Sequence, residues 1–117
     1  DITNNGLRQI TEDHSFVQKL IDEGEITESE AKTHPRRNVI TQSLNTDGDI
    51  DPDTYESNIN KGILLCSDGL TEEVSEEIIY KIICRNETLD TRVESLIEKA
   101  NENGGSDNIT VIISEHE

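Results

Sequence analysis

Basic side chains are scarce in this chain of 117 residues. Lys and Arg together number 10, against 26 Asp and Glu, which gives a formal net charge of -16 at pH 7. A surface of this sign repels phosphate backbones and anionic membranes. We therefore expect neither nucleic acid nor a membrane among the partners. We therefore interpret most of the acidic side chains as surface groups that keep the protein soluble.

Long apolar runs are also absent. No stretch approaches the roughly 18 apolar residues that a membrane-spanning helix requires, and no secretory signal pattern opens the chain. The sequence therefore predicts no membrane span and no signal peptide. The first residue is Asp1 rather than Met, which we interpret as a cut rather than a natural start.

Cysteine is too rare to cross-link the fold. Only Cys66 and Cys84 occur, and two cysteines do not make a disulfide framework. Cys66 lies in an apolar strand pattern and Cys84 in an apolar helix pattern, so both are predicted to be buried free thiols. Free thiols are typical of a reducing compartment, and we therefore predict a cytoplasmic protein.

Four segments carry the spacing of amphipathic helices, each opened by a Ser or Thr. In the second, Thr27 and Glu30 form a capping box and Pro35 ends the helix. Gly104 and Gly105 end the last. The four segments are FVQKLIDEG, TESEAKTH, SEEIIYKIICRN and TLDTRVESLIEKANEN. The predicted inward positions of the last are Leu89, Val93, Leu96, Ile97 and Ala100.

Short strands are predicted between and around these helices. Asn5-Gly6 is a turn signal for a hairpin over residues 1–11, and Lys61-Gly62 leads into a strand. The mixture of short strands and helix pairs predicts an α+β fold with a mostly antiparallel sheet. The other strand segments are QIT, NVITQSL, TYESNI, ILLCS and NITVIIS.

Two acidic residues stand out because each lies where a turn meets an apolar strand. Asp68 follows ILLCS and precedes Gly69, and Asp107 precedes ITVII. A carboxylate at such a junction is held at the rim of the core, and Mg²⁺ and Mn²⁺ take oxygen ligands of this kind. The competing interpretation is that each acid caps a turn or the following helix, and spacing alone does not decide.

The two junctions, LLCSDGLT and GGSDNITVI, resemble the C-terminal motifs of the metal-dependent protein phosphatases, the type 2C serine/threonine phosphatases. The stretch from Thr11 to Leu44 resembles the bacterial branch, where it covers a helix and a mobile flap. The family fold is a β-sandwich of two antiparallel sheets flanked by α-helices. The resemblance implies that residues 1–117 form the C-terminal half of such a domain, truncated at the N-terminus, with a flap-like segment at about 24–38.

The resemblance also assigns chemistry to the junctions. Asp68 and Asp107 match family ligands of a binuclear Mn²⁺ or Mg²⁺ centre, whose metals activate a water that attacks phosphoserine or phosphothreonine. Gly69 is expected to let the backbone turn away, and Ser67 and Asn108 to support the ligands or shape the turn. The implied substrates are phosphorylated proteins, and a cognate serine/threonine kinase is an implied partner.

Arg36 and Arg37 belong to the one basic cluster of this acidic chain, within the flap-like segment. One interpretation is contact with the phosphopeptide or control of the flap. The other is local ion pairing with Glu28 and Glu30. The three histidines are too far apart in sequence to propose a metal site.

The family pattern is incomplete in this chain. No Asp-Gly-X-Gly-Gly motif occurs, which in the family supplies the Asp that bridges the metals, and the Arg that holds the phosphate has no counterpart. Asp47-Gly48-Asp49 is not that motif, because no second Gly follows. We therefore expect the chain to be inactive alone. The alternative is a non-catalytic interaction or regulatory module derived from the phosphatase fold.

Two other chemistries are rejected on the residues. Asn45 to Glu56 imitates a calcium loop, but Ile50 stands where an EF-hand loop needs Gly, so a solvated acidic loop is the better interpretation. A cysteine-dependent phosphatase needs an Arg shortly after its thiolate, whereas Cys66 is followed by acids.

Overall fold

The computed structural model describes residues 1–44 and 48–116. These fall into two compact units, one built from Asp1–Gln9 with Ser57–Glu117, the other from Ile10–Glu56. No helix in the described ranges is both long and apolar enough to cross a bilayer. In chain order the elements are α1 (Phe16–Asp22), α2 (Glu28–Ala31), β1 (Gly62–Cys66), α3 (Asp68–Thr71), α4 (Glu76–Ile83), α5 (Leu89–Glu102) and β2 (Val111–Glu115).

In the first unit, β1 and β2 form an antiparallel pair. Leu64 lies opposite Ile113, and these side chains pack on the core. Successive residues of a strand point to opposite faces, and on the other face the facing pair Leu65 and Ile112 is 52% and 54% exposed. The chain start joins at the far end, where the Ile2 amide donates to the Gly62 carbonyl at 2.9 Å. The predicted α+β class with an antiparallel sheet is confirmed.

The core of this unit lies between the sheet and helices α3 to α5. The spacing of α4 turns three isoleucines inward, and its Ser75 hydroxyl caps the helix by accepting the Ile78 amide hydrogen. Thr88 caps α5 in the same way, through the Thr91 amide. The largest fully buried side chains are Leu70, Val74, Ile79, Ile83 and Leu96.

A buried guanidinium links three elements of this unit. Arg92 on α5 is 8% exposed, and it donates to the Ile83 carbonyl at the end of α4 at 2.7 Å. It also makes a two-pronged ion pair with Glu115 of β2, at 2.5 and 3.0 Å. The prediction that Leu89 points inward is wrong, since Leu89 is 38% exposed. Arg92 is buried on α5 because its hydrogen bonds compensate for most of the lost water.

The second unit is held by local contacts. Ser15 caps α1, as predicted, and Gly24 ends it in the left-handed region at φ 75°. Thr27 caps α2 through the Glu30 amide, and the Thr27 hydroxyl also donates to the Glu30 carboxylate at 3.0 Å. His14 and Asp53 are 2.7 Å apart and tie the ends of this unit together.

Several predicted strands are not strands. The stretch from Asn38 to Leu44 makes a single bridge, between Ile40 and Ser15, and Thr54 to Ile59 and Gln9 to Thr11 form none. β-branched residues favour a strand only where a neighbouring strand supplies the ladder, and Ile40 is 64% exposed. The predicted hairpin is present as a tight turn, in which the Thr3 amide donates a hydrogen bond to the Gly6 carbonyl. Of the predicted acidic loop 45–53, residues 45–47 lie outside the described ranges.

The prediction of buried thiols is also wrong. Cys66 and Cys84 are both free, but both are exposed. Cys66 is the last residue of β1, and Cys84 follows the last turn of α4, where the helix no longer presents an inward face. The partial loss of water around Cys66 raises the pKa of its thiol.

The Arg92–Glu115 pair predicts a pH-dependent contribution to stability. The hydrogen bond from Arg92 holds the pKa of the Glu115 carboxyl below its ordinary value of 4.5. Because the pKa is lower in the folded state, the stabilisation is fully present above pH 4.5 and is lost as the pH falls through the folded pKa. Glu115→Gln should therefore destabilise the chain at pH 7, and less so in acid, as measured by urea unfolding.

The matched control is Glu94→Gln, since Glu94 lies exposed on α5. Substitution there should change the unfolding free energy by no more than about 0.5 kcal/mol at either pH. An equal loss for Glu115→Gln at pH 7 and in acid would contradict the pair's role.

Candidate metal centre

The Ser-Asp-Gly and Ser-Asp-Asn motifs meet in the first unit. The Ser67 amide donates to the Thr110 carbonyl at 3.0 Å. The Ser67 hydroxyl accepts the Thr110 amide hydrogen at 3.0 Å and donates to the Asn108 carbonyl at 3.2 Å. Three hydrogen bonds thus extend the β1–β2 pairing beyond the end of the sheet. They fix the turn that carries Asp68 against the turn that carries Asp107.

Gly69 allows these two turns to touch. It is buried, and a Cβ built there would lie 2.2 Å from the Asn108 carbonyl oxygen. The expected role of Gly69 in letting the backbone turn away stays a prediction, and its φ is not positive, so left-handed backbone is not the reason for glycine here. Its side chain is excluded by close backbone approach, which is the other common reason for glycine.

The side chains of Asp68 and Asp107 are exposed, and they make few hydrogen bonds with the other described residues. Asp68 is the first residue of α3, and within residues 1–44 and 48–116 its carboxylate has no hydrogen-bond or ion-pair partner. Asp107 accepts the Asn108 amide hydrogen at 2.7 Å through Oδ1. The turn-capping interpretation therefore holds for one oxygen of Asp107. Asp68 is the first residue of α3, but its side chain makes no capping hydrogen bond among the described residues.

These residues fit part of a divalent metal site. Asp68 and Asp107 supply hard oxygen donors without a competing cation, which suits Mg²⁺ or Mn²⁺. Among the described residues, however, no group of three or more His, Cys, Asp or Glu side chains is close enough to hold a metal ion. The chain provides two candidate ligands and the frame between them, and does not complete a coordination shell.

The two candidate flap residues lie in the second unit. Arg36 stands over the Phe16 ring at 5.5 Å from its centroid, and Arg37 donates to the His34 carbonyl at 3.2 Å. Neither guanidinium forms an ion pair with Glu28 or Glu30 in the described structure, so the local ion-pair interpretation is wrong. Both arginines are exposed.

Sequence reasoning missed the residues that hold the Asp107 loop. The Glu73 carboxylate, in the turn two residues after α3, accepts the Ser106 hydroxyl hydrogen at 2.5 Å. The Glu73 carbonyl accepts from the Asn103 side chain at 2.7 Å. Gly104 packs against the same carboxylate with φ 142°. No pattern in the sequence marks Glu73, because its partners are distant in the chain.

The chain is similar to known phosphatases over nearly all of its length. No family-wide sequence profile matches it. The serine/threonine phosphatase Stp of Listeria monocytogenes is 41% identical over 118 aligned residues, which cover 99% of this chain and 47% of that protein. The solved serine/threonine phosphatase of S. agalactiae superposes with a TM-score of 0.89 at 37% identity, over 96% of this chain and 47% of that one.

A further similar structure is the catalytic domain of the phosphatase PstP in complex with two manganese ions. Its TM-score is 0.79 at 37% identity, over 97% of this chain and 47% of that one. In sequence and in fold the chain is similar to the metal-dependent, type 2C serine/threonine phosphatases. More narrowly, the chain corresponds to the C-terminal half of the bacterial members, and it spans about half the length of the relatives it matches. The predicted resemblance is confirmed.

The contact at Gly69 predicts a severe effect of one added methyl group. Gly69→Ala forces the Asp68 and Asp107 turns apart, because the new Cβ cannot share space with the Asn108 carbonyl oxygen. Overpacking of this kind costs about 1–3 kcal/mol. We expect a matching drop in the free energy of unfolding by urea, with amide chemical-shift changes at Asn108.

Gly48→Ala is the matched control, since no atom of the described residues lies within 4 Å of a Cβ there. It should leave the unfolding free energy within about 0.5 kcal/mol of the parent. Equal effects of the two substitutions would remove the close approach as the reason for Gly69.

Proposed function

We propose that the intact protein is a Mn²⁺- or Mg²⁺-dependent phosphatase that hydrolyses phosphoserine and phosphothreonine in proteins. The observation that carries the proposal is the joining of the two motifs through Ser67, Asn108 and Thr110. That frame presents two exposed carboxylates at one junction. The similarity to Stp and to the manganese-bound PstP domain supports the same chemistry.

Each residue has a distinct part in this proposal. Asp68 and Asp107 would hold the metal through carboxylate oxygens, and Ser67 and Gly69 keep the two turns in contact. Asn108 orients Asp107 by donating its amide hydrogen to Oδ1. When bound, divalent cations of this kind activate a water for direct attack on phosphorus and neutralise the charge that develops there.

The chain alone should lack useful activity. Asp68 and Asp107 are two ligands, and the described residues offer no third acidic, His or Cys side chain beside them. Mg²⁺ and Mn²⁺ held by so few protein oxygens stay largely hydrated. The same observation supports the second candidate function, a non-catalytic interaction or regulatory module.

The phosphatase proposal predicts strict metal dependence in the intact protein. With Mn²⁺, a phosphothreonine peptide should be hydrolysed, and EDTA should abolish the reaction. Asp68→Asn and Asp107→Asn should each reduce kcat by at least about a hundredfold, because an amide withdraws the negative charge that the cation needs. Phosphate release measures the effect.

Two controls sharpen this test. Asp90→Asn removes an exposed acid of α5 and should leave kcat unchanged. The 117-residue chain, assayed alone with Mn²⁺, should release no phosphate. Turnover that survives EDTA would refute the mechanism, and Mn²⁺-dependent turnover by the chain alone would refute its incompleteness. An intact protein with no activity would favour the interaction module.

We also propose that residues 24–38 form a movable flap whose Arg36 and Arg37 contact phosphopeptide. The segment carries the exposed arginines and one short helix, and Ala31 is its only buried residue. Segments with few buried apolar contacts open at low free-energy cost. The implied substrates are phosphorylated proteins, with a cognate serine/threonine kinase as partner.

The flap proposal predicts early hydrogen exchange. Amides of residues 24–38 should exchange faster than those of residues 109–113, which lead into β2 and include its first residues paired with β1. Hydrogen-exchange mass spectrometry at neutral pH gives both rates from one sample. Equal protection of the two stretches would exclude a low-stability flap.

The cellular setting belongs to the same proposal. The net charge of -16 disfavours nucleic acid and anionic membrane as partners. Two free, exposed thiols suit a reducing compartment, which supports a cytoplasmic location.

A further inference from the structure

A small cavity lies beside the C-terminal end of α4 in the first unit. Its volume is about 220 Å³. Ile2 and Ile83 supply apolar lining, and Glu115 and Cys84 also border it. The remaining lining residues are Lys61, Arg85 and Arg92. Three of the ten basic side chains of an acidic protein therefore line one cavity.

Most of the donor capacity around this cavity is unused. Within the part of the chain that the structure describes, the Lys61 ammonium and the Arg85 guanidinium make no hydrogen bond or ion pair. Arg92 is 92% buried, and its Nε is a buried donor without a hydrogen-bond partner. That Nε is inaccessible from the cavity, and the terminal nitrogens of Arg92 are bonded to Ile83 and Glu115, so the donors that a ligand can reach are those of Lys61 and Arg85.

The opposing acids leave the cavity with a positive balance. Glu115 accepts from two nitrogens of Arg92, and Glu87 is near enough to help raise the pKa of Arg92. The cavity lining itself carries three cations and one carboxylate, and Arg85 also borders a neighbouring depression with Glu98 and Glu102. Charges farther away are screened, because the Debye length is about 8 Å at physiological ionic strength.

Helix electrostatics explain only part of this cluster. Cations beside the C-terminus of α4 offset the partial negative charge of its last carbonyls, and Arg92 binds the Ile83 carbonyl directly. Lys61 is the residue before β1, and within the described chain its ammonium group makes no hydrogen bond to the C-terminal end of α4.

We infer that this cavity binds a phosphate group. Guanidinium groups match phosphate oxygens geometrically, and a lysine ammonium adds a compact charge. The volume lies below the roughly 300 Å³ at which small-molecule pockets begin. A volume of this size suits inorganic phosphate or the phosphorylated end of a side chain.

The phosphate cavity is separate from the candidate metal centre. Gly62 pairs with Glu115 at one end of the β ladder, and Cys66 pairs with Val111 at the other. Lys61 precedes the first end and Asp68 follows the second. At about 3.3 Å per residue, these ends lie on the order of 13 Å apart. The inference does not require the proposed phosphatase activity.

Nuclear magnetic resonance titration of the 117-residue chain tests the inference. Phosphate is added in EDTA at constant ionic strength, so that metal-bridged binding is excluded. Saturable amide shifts are expected at Lys61, Arg85 and Arg92. A phosphothreonine peptide and its unphosphorylated form make up a second arm. Tighter binding of the phosphopeptide than of phosphate identifies a phosphorylated side chain as the ligand, and equal or weaker binding identifies free phosphate.

Charge-matched variants decide the location. Lys61→Gln and Arg85→Gln should each weaken phosphate binding roughly tenfold, the usual size of a lost charged hydrogen bond. Lys32→Gln removes one exposed charge of the second unit and should have no effect. Arg92 is left intact because its buried ion pair supports the fold. Shifts that never saturate, or equal weakening in all three variants, would overturn the inference.

Discussion

The contact between Gly69 and the Asn108 carbonyl is the constraint on which the candidate centre depends. A hydrogen atom in place of a side chain lets two turns approach until Ser67 can bond to both Asn108 and Thr110. Those bonds continue the β1–β2 ladder past the sheet edge. The strands therefore deliver both acidic residues to the same end of the sheet, although the residues are distant in sequence.

The helices secure that end of the sheet. Leu70 of α3 is fully buried, and α3 follows directly from the Ser-Asp-Gly turn. Glu73 then binds Ser106, so the turn after α3 holds the loop that carries Asp107. At the opposite end, Arg92 joins α4, α5 and β2 through one guanidinium. The hydrophobic core thus lies between two sets of polar contacts, one made by Glu73 and the other by Arg92.

Electrostatics distinguish the two ends of the ladder. At one end, Asp68 and Asp107 are acidic and exposed, as hard cations require of their ligands. At the other, basic side chains collect around a small cavity in a protein whose net charge is -16. A chain with 10 basic residues concentrates three of them there. One scaffold of two short strands therefore separates regions of opposite charge.

Local sequence determined the elements whose signals are local. Ser15, Thr27, Ser75 and Thr88 each cap the helix that follows, because a cap needs only its own first turn. The apolar runs before Asp68 and after Asp107 specified β1 and β2, and the paired motifs identified the family. The strands predicted for residues 38–44 and 54–59 do not form, because a strand-like sequence becomes a strand only beside a neighbouring strand that supplies hydrogen bonds.

Tertiary structure decided everything that depends on residues far apart in the chain. Glu73 holds the Asp107 loop, and Arg92 is buried against Glu115, yet neither carries a sequence signal, because each partner lies on another element. The motif pointed to Gly69, but its contact with the Asn108 carbonyl could be seen only in the structure. The sequence by itself determined which carboxylates to examine. Only the packing of α3 and the β ladder decided that their turns meet, because that contact is made between distant segments.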